Sequence, residues 1–240
     1  MKNLFKIHWV SYFILLSVLL AGYFNYFLII SIILIFHDFG HIILIKLFGY
    51  KINKIEILPF GSIMTTNIGP NTNSFKILII SLGGILMQLL LFLIMPYFLS
   101  SINYPIFIKY NTLLIFFNLL PIIPLDGSKI LSSLLESFIS YKKAMVLINF
   151  ISLFSIVLFI IFLTFHALNS YLVVSFLVYK TYETIKNHHY YFHHFLLDRH
   201  LNKTKFKNIK HILSIKLIHK NKYNFIDNQN EDKVLNSYFN

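Results

Sequence analysis

The apolar positions of this chain fall into long blocks separated by short polar gaps. Blocks of near span length lie at residues 9–23, 26–47, 75–99, 110–123, 144–166 and 169–186. A transmembrane helix needs about 20 mostly apolar residues, so the pattern predicts an all-α integral membrane protein with about six spans. The first and fourth blocks are short. Met1 to Lys6 and the run after it read as a retained first helix, because no clear A-x-A cleavage site follows and another block comes almost at once. Ile55 to Thr66, between the second and third blocks, is expected to form a small β segment. Beyond residue 187 the chain turns to Lys, His, Asn and Tyr, with no further apolar block. Residues 1–187 are therefore expected to be a multi-span domain and 188–240 a short basic tail. In the tail, Ile212 to Ile218 is expected to be a strand and Glu231 to Phe239 a short helix.

Composition narrows the class. The chain is 57% hydrophobic and 12% charged, where a soluble domain carries roughly 25% charge. So little charge cannot clothe a water-facing surface, which excludes a soluble enzyme and disorder. With no cysteine, any metal must be held by His, Asp or Glu. The 21 basic residues against 9 acidic ones bear on topology, since Lys and Arg favour cytoplasmic loops. Cytoplasmic termini leave only Lys109 among the basic residues on the far side. A multi-pass protein of the cell membrane with both termini cytoplasmic is expected. The basic tail suits the lipid bilayer, and no nucleic-acid partner is expected.

Ionisable side chains within a span are costly and mark function. Of the nine acids, Glu56 and Glu136 are assigned to loops, Glu183 to a helix end, and Asp198, Asp227, Glu231 and Asp232 to the tail. Asp38 remains in mid-span, and Asp126 just past the fourth block. Asp38 lies between His37 and His41, which share a helix face one turn apart. Two imidazoles so placed can occupy two corners of a zinc site, and a carboxylate after the first can reach a metal-bound water. The alternative is a structural polar cluster. Gly40 leaves bare backbone for a close neighbour. Asp126 follows Pro121 and Pro124, which break a helix, and precedes Gly127. It is the natural third ligand, and a helix-ending turn is the rival reading. His188, His189, His193 and His194, with Tyr190, Tyr191 and Phe192, read as an interfacial stretch.

His37-Asp38-Phe39-Gly40-His41 and Asn118 to Gly127 together resemble the site-2-type intramembrane zinc metalloproteases of the peptidase M50 type. Those carry H-E-x-G-H on one core helix and an N-P-D-G-type element on another. Leu58-Pro59-Phe60-Gly61, Gly83-Gly84, Asn118-Leu119-Leu120-Pro121 and Pro124-Leu125-Asp126-Gly127 are similar to the sporulation stage IV branch. So are Phe195-Leu196-Leu197-Asp198-Arg199 and Val234 to Phe239 in the tail. That branch processes the precursor of a late sigma factor. The resemblance implies Zn2+ on His37, His41 and Asp126, with Asp38 as general base. Asn118 would bond the substrate backbone or the oxyanion, or else cap the broken helix. The implied substrate is a membrane-tethered protein, with regulatory membrane partners, and Ile55 to Thr66 would hold it extended or merely pack over the site. Two features depart from the family. Asp38 stands where the family has Glu, shorter by one CH2, and the tail amounts to a shortened remnant of a nucleotide-sensing CBS domain. A catalytically inactive zinc-binding membrane protein is the first rival reading. A metal transporter is the second, but it would be expected to carry such groups along two or more spans.

Overall fold

The computed structural model describes residues 5–7, 9, 11–12, 17, 20–58, 61–163, 169–202, 206 and 208–239. The chain forms two compact units: residues 1–68 with 79–118, and residues 69–78 with 119–240.

In the first unit, β1 (Phe5–Ile7) pairs in parallel with β2 (Ile52–Leu58), which pairs antiparallel with β3 (Gly61–Thr66). The expected β segment is thus a three-stranded sheet with β3 on one edge. Its third strand comes from the residues just before the first apolar block, where no strand was expected. Helix α1 (Phe24–Leu47) precedes β2. It ends in a C-terminal motif in which Gly49 takes φ of 79° and donates to the Lys46 carbonyl, while Tyr50 donates to that of Ile45. Only glycine adopts that left-handed backbone without strain, and it turns the chain into the sheet. Helix α2 (Ser74–Ile94) begins in the second unit and continues in the first, followed by a short 3-10 turn at Met95–Tyr97 and helix α3 (Asn103–Leu119). Ile29 and Ile33 of α1, Leu91 of α2, Met95 and Phe107 of α3 form the apolar core.

The second unit contains α4 (Asp126–Phe138), α5 (Tyr141–Leu163), α6 (Asn169–Lys186) and α7 (His188–Leu201). It closes with β4 (Ile209–Ile212), β5 (Tyr223–Ile226), β6 (Gln229–Asn230) and α8 (Glu231–Phe239). Strand β5 is central, parallel to β4 and antiparallel to β6. The β5–β6 turn places Asp227 and Asn228 at φ of 48° and 61°, as a two-residue hairpin requires. The tail helix lies where the sequence placed it. The tail strand instead spans Ile209–Ile212, and Ile215–Leu217 is a 3-10 turn. Phe192 is buried rather than interfacial. With Phe195, Leu196, Ile212, Ile218, Ile226 and Leu235 it forms a core that includes Met145 of α5.

Among the described residues, three helices are long and apolar enough to cross a membrane: Phe24–Leu47, Ser74–Tyr97 and Tyr141–Ile161. They correspond to the blocks at 26–47, 75–99 and 144–166. The fourth block belongs to α3, which starts earlier, at Asn103, and stops at Leu119. The sixth coincides with α6, whose Lys180, Glu183 and Lys186 make its last turns polar. Seven of the fifteen residues of the first block lie outside the described residues, as do Pro59 and Phe60.

Candidate metal centre

The histidine pair belongs wholly to the first unit. Both imidazoles are buried on α1, and their Nε2 atoms approach to 3.2 Å. His41 Nδ1 bonds the Ile80 backbone carbonyl at 2.7 Å, and His37 Nδ1 bonds Gln88 Oε1 at 3.1 Å. Both partners are oxygen acceptors, so each Nδ1 donates, which leaves the Nε2 atoms as the ligand candidates. These face one another at 3.2 Å. Two nitrogens each 2.0–2.1 Å from a tetrahedral zinc are separated by about 3.3 Å, so the pair fits two corners of such a site. Holding the second ring nitrogen is what fixes a ligand imidazole's tautomer and orientation.

Glycines in α1 and α2 make this possible. A Cβ on Gly84 would lie 2.4 Å from His37 Cε1 and 2.6 Å from His41 Nε2. A Cβ on Gly40 would lie 2.1 Å from the Gly83 carbonyl oxygen, and one on Gly83 would lie 2.7 Å from that of Gly40. The two helices touch through backbone at Gly40, as its place between the histidines suggested.

Asp38 is half-buried on α1, and Asn118 is half-buried one residue before the end of α3. Asp126 belongs to the second unit, as the buried first residue of α4, and accepts an ion-paired hydrogen bond from Lys129 at 3.0 Å. The break before it is supported by neighbouring helices. Ser152 of α5 donates to the Pro121 carbonyl and accepts from Ile123 N–H, and Thr181 of α6 donates to the Ile123 carbonyl. This is how irregular backbone is tolerated in apolar surroundings. Gly127 is again obligatory, since a Cβ there would meet the Leu119 carbonyl oxygen at 2.1 Å.

The peptidase family M50 model matches residues 95–161, which include the Asp126 segment. The chain is 28% identical to the stage IV sporulation protein FB of Bacillus subtilis, over 78% of this chain and 68% of that protein. It is 30% identical to a zinc metalloprotease of Methanocaldococcus jannaschii, over 49% of this chain and 36% of that protein. The chain is related to the site-2-type M50 peptidases. Its fold is also similar to a site-2 protease structure from Methanocaldococcus jannaschii, with a TM-score of 0.54 and 21% identity over 75% of this chain and 89% of that one. The M50 relationship supports a protease, and the apolar helices a membrane protein.

Sequence reasoning missed two parts of this candidate centre. One is the Ile80 carbonyl, a backbone group that no side-chain pattern reveals. The other is Gln88, fully buried, whose backbone carbonyl also accepts from Asn111 Nδ2 at 3.0 Å. A lone amide amid apolar residues on α2 was the available signal, because burying it demands a partner.

Proposed function

We propose that the chain is an intramembrane zinc metalloprotease that cleaves a membrane-tethered protein. The observation that carries this reading is the histidine pair, with both Nδ1 atoms held and both Nε2 atoms converging. His37, His41 and Asp126 would hold Zn2+, because catalytic zinc takes three protein ligands and keeps one position open. Bound zinc supplies Lewis acidity that makes a water nucleophilic near neutral pH. Asp38 would take a proton from the attacking water and return one to the leaving amine nitrogen. Asn118 would donate its amide N–H to the substrate backbone or the developing oxyanion. A helical substrate must unwind before its carbonyls are free, and edge strand β3 would hold it extended. Similarity to the stage IV sporulation protein supports a pro-sigma factor as substrate. The Lys and Arg distribution supports six spans with cytoplasmic termini.

The test is cleavage of a membrane-tethered reporter by the purified chain in proteoliposomes, together with its metal content. The proposal expects about one zinc per chain and cleavage that a chelator stops. Zinc-independent cleavage would overturn it. Asp38 in the family's Glu position favours one second reading, an inactive zinc-binding protein that captures its partner. Bound zinc without cleavage, with cleavage appearing in Asp38→Glu, would select that reading.

A further inference from the structure

A second cleft lies wholly within the second unit, where the start of α5 meets the tail sheet. Its volume is about 360 Å³, and Lys143, Lys210, His211 and His219 line it with no carboxylate among the described lining residues. Lys143 and Lys210 are exposed, and neither amine has an ion-pair partner among the described residues. Two other lining groups, Ser140 Oγ and His219 Nδ1, are buried without a hydrogen-bond partner. Burial first, then the charges of Lys222, Lys210 and Lys143, pull the His219 imidazole below its ordinary pKa. The rim is apolar: Phe138 is 77% exposed and Leu213 85% exposed, and both line the opening. Lys143 lies in the first turn of α5, one of the three helices apolar enough to span a membrane. The cleft therefore sits at one end of such a helix.

We propose that this cleft binds the phosphate headgroup of an anionic phospholipid, with Phe138 and Leu213 against its acyl chains. The charges match a phosphodiester. The exposed apolar rim distinguishes a lipid from a soluble phosphate, which has nothing to place there. Basic pockets beside spanning helices are built for such headgroups. The site is separate from the metal centre and does not depend on proteolysis.

The experiment follows ligand binding to the full chain in neutral detergent by native mass spectrometry. Dioctanoyl phosphatidylglycerol is compared with dioctanoyl phosphatidylcholine, inorganic phosphate and ATP. Phosphatidylglycerol should bind saturably and most tightly. Each lysine near an anionic headgroup contributes a factor of about 5, so Lys143→Ala with Lys210→Ala should weaken it about 25-fold. Lys186→Ala with Lys233→Ala removes the same charge elsewhere and should leave the affinity unchanged. Leu213→Ser, at an exposed position that folding does not depend on, should weaken phosphatidylglycerol but not inorganic phosphate. Equal loss in both double variants would overturn the proposal as diffuse attraction. Equal affinity for phosphatidylcholine would overturn the charge assignment, and tighter binding of ATP or phosphate the lipid assignment.

Discussion

His37 and His41 are each fixed by a bond behind the ring, so the metal affinity proposed for them would depend on groups outside the pair. Removing either imidazole takes away one proposed ligand, and His37→Ala or His41→Ala should lose bound zinc in elemental analysis. Full retention in both would refute the site. Gly84→Ala tests the same centre from the opposite helix. Its Cβ would collide with both rings, costing about 1–3 kcal/mol as overpacking and displacing the imidazoles, so zinc should fall while the protein still inserts. Asp38 separates chemistry from binding. Asp38→Asn keeps its size but accepts no proton, so zinc should stay while cleavage drops about 100-fold or more. Equal cleavage by native protein and Asp38→Asn would refute the base assignment. Asp38→Glu restores the longer reach and should retain or raise the rate, unless the local backbone has adapted to the shorter acid. The paired histidines were legible because ionisable groups in an apolar helix are costly and therefore conspicuous. Their supports were not, since a backbone carbonyl has no sequence signature.

Helix α4 carries Asp126 at its first residue and Glu136 three residues from its end. The sequence assigned Glu136 to a loop, because the Ser-rich stretch around it breaks the apolar blocks. Instead Glu136 is buried and ion-paired with Lys220 of the tail at 2.7 Å, the two side chains being 9% and 2% exposed. Ser74 Oγ and Ser132 Oγ donate to the same carboxylate. Arg199 makes a similar buried link, pairing with Glu231 and donating to the Lys220 carbonyl at 2.8 Å. The tail is thus locked to α4 by charge, while its apolar core takes in Met145 of α5. Lys220→Met should leave the Glu136 carboxylate buried without its cation, costing about 3–5 kcal/mol and lowering the thermal midpoint in detergent. Adding Glu136→Gln removes the orphaned charge and should recover much of the loss. If the double variant is no more stable than the single one, the ion pair is not what links them. Helix α7 escaped the sequence reading for a related reason. Its buried positions Phe192, Phe195, Leu196 and Arg199 follow helical spacing, but five histidines and two tyrosines blur the stripe.

At the scale of the whole molecule, topology is the open quantity, and the second unit constrains it. Helices α5 and α6 pack on each other, and both outer ends adjoin the tail. At the start of α5, Tyr141 N–H donates to the Ile218 carbonyl, and its ring stacks on Phe195 with centroids 4.0 Å apart. At the end of α6, Lys186 leads through Asn187 into α7. Lys142, Lys143, Lys186 and the basic tail therefore share one side, whichever side that is. On the positive-inside bias we propose that it is the cytoplasm. A reporter fused after Asn240 should accordingly be active only in its cytoplasmic form. A reporter inserted beside Lys109 should show the opposite sense if α3 begins on the far side. An exported signal at the C-terminus would reverse the orientation. It would also move the proposed phospholipid cleft to the outer leaflet, because Lys143 and Lys210 line a cleft formed by α5 and the tail together. Matching signals at both positions would instead leave the termini in place and change the number of spans between them.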